Sequence, residues 1–118
     1  MTAETQLGNA LQANVLLAAI VGTKIHLDEV PEDLARPYIL FAKNGVSQID
    51  RALDNTVLHR SDPFAVTCVG KTRAQAIEMR ALVETALVAV NQPPAETQSA
   101  YDETMDAETE TVLVDWWT

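Results

Sequence analysis

An α+β fold, with an N-terminal helix and one long amphipathic helix packed on a mainly antiparallel sheet of about four to five strands, follows from three observations. Thr72 to Val90 carries helical periodicity with no Gly or Pro inside it. Several short runs rich in β-branched and aromatic residues, such as Phe64 to Val69 and Thr109 to Trp117, read as strands. Helical spacing of Leu7, Ala10 and Leu11 predicts a helix at the start of the chain.

In chain order, Glu4 to Ala13 reads as that first helix. Asn14 is a plausible cap that ends it and starts a short second helix, Val15 to Val21, closed by a left-handed Gly22; one helix from Glu4 to Val21 is the alternative. Thr23 to Leu27 alternates polar and apolar residues as a short strand. Asp28 to Arg36 is a loop between Pro31 and Pro37, and Tyr38 to Ala42, apolar on both faces, is an interior strand. Gly45 to Thr56 is polar, opens on the turn signal Asn44-Gly45, and reads as a connection of roughly a dozen residues, long enough to suspect a use. Val57 to Arg60 starts a strand that Phe64 resumes, and Ser61-Asp62-Pro63 predicts a bulge or edge position between them. Ser99 to Met105 alternates weakly, Asp106-Ala107-Glu108 reads as a hairpin turn, and Thr109 to Trp117 returns with Val112, Val114 and Trp116 on one face.

The long helix is the element around which the rest is organised. Thr72 is its N-cap, with Gln75 completing a capping-box pattern, and Asn91-Gln92-Pro93-Pro94 stops it. Ala76, Met79, Val83, Ala86, Leu87 and Val90 form the face that packs on the sheet. Ala74, Ile77, Ala81 and Val88 form a second stripe on a different side, set apart by Arg73, Arg80 and Glu84. One layer cannot bury both, so the second stripe predicts either ordinary exposed aliphatics or a contact with another subunit.

Length and a hydrophobic content of 47% suffice for one domain, residues 1–118, with a core that needs no disulfide or metal. The single cysteine, Cys68, excludes an intramolecular disulfide, points to a reducing compartment, and in a strand reads as a packed, inert thiol. Met1-Thr2-Ala3-Glu4 lacks the basic segment and apolar run of a signal peptide, and the longest apolar run, Val15 to Val21, is too short to cross a bilayer; a soluble cytoplasmic protein is expected. Seventeen acidic and eight basic side chains give a net charge of −9, the basic ones scattered and without aromatic stacking platforms, which argues against direct nucleic-acid binding.

A search for chemistry is nearly empty, and no enzyme is expected. His26, Asp28 and Glu29 lack the tight spacings of zinc or calcium sites, so neither a metal nor another cofactor is expected. His59 and Cys68 lie along one predicted strand and do not form a nucleophile pair. There is no P-loop, dinucleotide-binding glycine pattern or nucleophile elbow. The acidic run from Asp102 to Glu110 reads as a solvated hairpin face.

The order Leu11 through Val21-Gly22-Thr23-Lys24-Ile25-His26, then Arg36-Pro37-Tyr38-Ile39-Leu40-Phe41, then the Phe64 to Val69 strand feeding an Ala-rich helix, then Leu113-Val114-Asp115-Trp116-Trp117, resembles the small tail-completion proteins of long-tailed bacteriophages over nearly the whole chain. The resemblance implies an α+β tail terminator or tail-to-head joining subunit, assembled in the host cytoplasm into a hexameric ring on the tail tube. Its partners would be copies of itself, the major tail tube protein and head-tail connector proteins, with DNA passing through unbound. On that reading Ala74, Ile77, Ala81 and Val88 are a subunit interface, and Gln48, Asp50, Arg51 and Asp54 lie on a channel-facing loop. The rival reading from the residues is a small dimeric α+β regulatory or ligand-binding module.

Overall fold

Each helix begins where a side chain can satisfy its open backbone donors. In the computed structural model, which describes residues 2–29, 35–54, 57–102 and 107–117, helix α1 spans Ala3–Ala13 and Thr2 accepts from the Thr5 amide at 3.2 Å. Asn14 separates it from α2, Val15–Val21, and its carboxamide accepts from the Leu17 amide at 2.9 Å. The broken form of the N-terminal helix is therefore the one adopted. Gly22, at φ 61°, ends α2 in the left-handed region, which a side chain there would strain.

Six strands follow, one more than the upper expectation: β1 Ile25–Leu27, β2 Tyr38–Lys43, β3 Gln48–Arg51, β4 Val57–Val69, β5 Glu96–Asp102 and β6 Ala107–Trp117, with α3, Arg73–Ala89, between β4 and β5. The sheet order is β1-β2-β4-β6-β5, with β3 also paired to β4. Among the described residues only the β1–β2 pair is parallel. As expected of a strand apolar on both faces, β2 has neighbours on both sides.

The register aligns the core. Ile39 and Phe41 of β2 sit opposite Cys68 and Val66 of β4, and Phe64 and Val66 sit opposite Val114 and Val112 of β6. These side chains form one face on which Leu7, Leu11, Leu17, Val21, Met79, Val83 and Leu87 of the helices pack. Each fully buried aliphatic or aromatic side chain in that layer contributes about 1.5–3 kcal/mol. Trp116 closes one end, its indole N–H donating to Gln6 Oε1 at 2.9 Å. Gln92, just past α3, acts as a short piece of backbone: its side-chain amide donates to the Trp117 carbonyl and its carbonyl accepts the Trp117 N–H, at 2.8 and 2.9 Å.

Several expectations are corrected. The connection from Gly45 to Thr56 is not a plain loop, because Gln48–Arg51 pairs antiparallel with the first part of β4. Ser61-Asp62-Pro63 does not interrupt the strand: β4 runs through it, with Ser61, Asp62 and Pro63 opposite Trp117, Trp116 and Asp115. Proline is tolerated there because β3 ends its pairing at Ser61 and β2 begins at Phe64. The Pro63 carbonyl faces that step and accepts the Asn44 amide at 2.8 Å, so the missing N–H also points where no ladder bond is required. Ala107 and Glu108 belong to β6, not to a turn, and Asp106 lies outside the described residues. The first strand starts at Ile25 rather than Thr23. Val90 is the cap of α3 and 43% exposed, not core, because the helix has already passed the edge of the layer it covers.

Candidate interaction surfaces

The outer side of α3 is built as its sequence predicts. Thr72 accepts from the Gln75 amide at 3.2 Å, and Gln75 Oε1 accepts from the Lys71 amide at 2.7 Å. With Ala76, Met79, Val83, Ala86 and Leu87 held against the sheet, Ala74, Ile77, Ala81 and Val88 are left exposed, Val88 at 61%. Arg80 turns away from solvent to reach Glu110 of β6 at 3.5 Å and Glu84 at 3.6 Å. Glu110 is buried and also accepts from Ser99 Oγ at 2.6 Å, so the acidic run is not uniformly a solvated face. It lies in the row of β6 that points at the helices, where a charge requires these partners.

The second surface is a two-stranded arm. The first residues of β4 extend past the end of β6, which stops pairing at Ser61, and among the described residues only β3 accompanies them. Gln48, Asp50 and Arg51 are therefore strand residues of this arm and Asp54 belongs to its turn; Arg51 and Asp54 each have a partner. The arm carries Val46, Ile49 and Leu53, exposed at 85%, 43% and 110%. His59 stacks edge-on against Trp117, with ring centres 6.4 Å apart.

A buried carboxylate holds the base of the arm. Asp62 of β4 accepts from Ser47 Oγ and lies 3.5 Å from Lys43 Nζ and 3.4 Å from Arg60 Nε. Lys43 Nζ in turn donates to Ser47 Oγ at 2.5 Å. The Ser47 hydrogen bond, helped by the Arg60 and Lys43 charges, outweighs burial and holds the Asp62 carboxyl below its usual range. One side chain thus ties the end of β2, the β2–β3 connection and β4 together.

The third surface is a groove of about 380 Å³ between the C-terminal ends of α1 and α3, bordered by Ala10, Ala13, Val15, Leu16, Ala89 and Val90. Val15 and Leu16 are 80% and 66% exposed. A neighbouring groove along Ala81, Val88 and Pro94 joins it at Thr85.

The residues considered for chemistry do not converge. His59 and Cys68 lie nine positions apart on β4, about 30 Å at strand spacing. Burial, with Glu110 nearby, pushes the Cys68 thiol up to about 12, which makes it an inert packed group. His26 leaves its buried Nε2 without a hydrogen-bond partner. Among the described residues no three His, Cys, Asp or Glu side chains are grouped to hold a metal ion, and no helix is long and apolar enough to cross a membrane.

Sequence reasoning found the α3 stripe but missed the arm, the Asp62 latch and the groove. The signals were present: Ile49 inside a polar stretch, Ser47 and Asp62 flanking a predicted interruption, and Val15-Leu16 immediately after a helix break.

An α+β subunit whose distinctive surfaces are apolar helix and hairpin faces belongs with proteins that act by assembly. The family follows from the sequence: residues 5–118 match the model of the tail completion protein gp17, and the chain belongs to that family, making it a structural protein of the phage tail. A chain in the virion of a native gene transfer agent particle shares the fold, with a TM-score of 0.73 and 21% identity over 92% of this chain and 88% of that one. No curated protein matches it in sequence.

Proposed function

We propose that this protein is a tail terminator, a single-domain subunit that closes into a ring, hexameric in the simplest form, on the end of the tail tube and joins tail to head. The observation that carries the reading is the α3 stripe: Ala74, Ile77, Ala81 and Val88 stay exposed on a helix whose other face already fills the core. A subunit in a ring meets a neighbour on each side through two different surfaces, and closure by rotation uses both. The major tail tube protein on one side and head-tail connector proteins on the other are the partners this position requires. The arm with Gln48, Asp50, Arg51 and Asp54 borders the channel. A net charge of −9 suits a conduit through which DNA slides without gripping, since like charge suppresses phosphate contacts. No chemical step and no cofactor is needed for this role, and assembly takes place in the host cytoplasm.

The test is Ile77→Asp. Ile77 is 37% exposed and outside the core cluster, so the variant should keep its melting temperature within a few degrees while ring formation on tail tubes is lost. A variant that unfolds makes the stripe part of the core, and one that still assembles normally moves the subunit contact elsewhere.

A further inference from the structure

We infer that the β3–β4 arm of one copy seats Leu53 in the groove between the C-terminal ends of α1 and α3 of the next copy. The contact rests on the ring reading and specifies how adjacent subunits are joined. Leu53 is fully exposed at the turn of a hairpin that the Asp62 latch holds in place, so the arm is preorganised and presents an apolar side chain that no described residue of its own chain covers. The groove is apolar, with Val15, Leu16 and Val90 exposed on its borders.

Charge does not oppose the pairing: on the arm the acidic Asp50 and Asp54 are matched in number by Arg51 and Arg60, so an arm of no net charge enters a groove bordered mainly by apolar side chains. Arm and groove share no residue, so their contact is heterologous, the type that repeats around a ring. An arm tip alone covers less than the roughly 800 Å² per partner of a stable interface. The groove continues through Thr85 to Ala81 and Val88, so the arm contact and the α3 stripe form one surface.

The experiment places cysteines at both ends of the contact, Leu53→Cys with Val90→Cys, in the chain produced together with the other tail proteins, and treats purified particles with a short bis-maleimide. The native Cys68 is buried and does not compete. A ladder of covalent multimers on a denaturing gel is expected from the double variant, and monomers only from particles made with either single variant. Particles that hold several copies per tail end yet yield only monomers, or stop at dimers, overturn the arm-in-groove contact and leave the ring intact. Particles holding one copy, or none, overturn both. As a second measurement, Leu53→Asp should lower incorporation into particles at least tenfold with an unchanged melting temperature, and Leu53→Met should restore it; wild-type incorporation of Leu53→Asp refutes the contact.

Discussion

Replacing Asp62 with Asn keeps the shape of the latch and removes its charge. The Asp62 side chain is 9% exposed, and its carboxylate accepts from Ser47 while lying within 3.5 Å of Lys43 and Arg60. Breaking a fully buried ion pair costs about 3–5 kcal/mol. Here Lys43 and Arg60 are 39% and 52% exposed and can turn to water, so most of that cost is screened. What remains is the charged hydrogen bond from Ser47 and a residue of the ion pairs, about 1–2 kcal/mol. For a chain of this length that corresponds to a melting temperature lower by about 4–8 °C. The pH dependence has a definite sign. The folded-state pKa of Asp62 is lowered, so its contribution is present above the unfolded value of about 3.9 and is lost as pH falls through the folded value. Wild type and Asp62→Asn should therefore differ at pH 7 and converge on acidification below about pH 4. Calorimetry at both pH values measures the gap, and amide exchange in Gln48–Arg51 should accelerate in the variant, because Ser47 leads directly into that strand. A gap that persists unchanged at pH 3, or β3 protection equal to wild type, would refute the latch.

Other expectations concern the core and its borders. Arg80→Met should destabilise by about 2 kcal/mol, since it leaves the buried Glu110 with Ser99 alone, and a cycle with Glu110→Gln should recover at least half of that loss; strict additivity in chemical denaturation would show that the pair is not coupled. Gly70→Ala should cost about 2–3 kcal/mol, because the added Cβ would stand 2.7 Å from the Ala76 nitrogen and 2.9 Å from the Thr72 oxygen, both in the backbone at the start of α3; a stability within experimental error of wild type would contradict it. Cys68 should react with an aromatic disulfide reagent at pH 8 only as fast as the chain unfolds, and rapid labelling under native conditions would mean that the strand opens locally.

Much of this protein was legible in its sequence because the information is local. The Thr72 cap, the two stripes of α3, and the inward row Val112, Val114 and Trp116 depend on side-chain chemistry and on periods of 3.6 and 2, which a reader of the sequence can count, whereas the break at Asn14 was one of two alternatives that the structure decided. The tail-completion resemblance was legible too, since it lay in the order of such segments, and the match over residues 5–118 bears it out. What the tertiary structure decided involves partners far apart in the chain. Gln48–Arg51 looked like a polar loop because a strand paired on one side and open on the other needs few apolar residues, and only the extension of β4 past β6 gives it a partner. Pro63 looked like a break because its missing donor is harmless only at the step between β2 and β3. Glu110 looked solvated until Arg80, thirty positions earlier, was brought across from α3 to neutralise it. The helix-end groove likewise exists only because α1 and α3 finish side by side, a distance in space that no periodicity along the chain encodes.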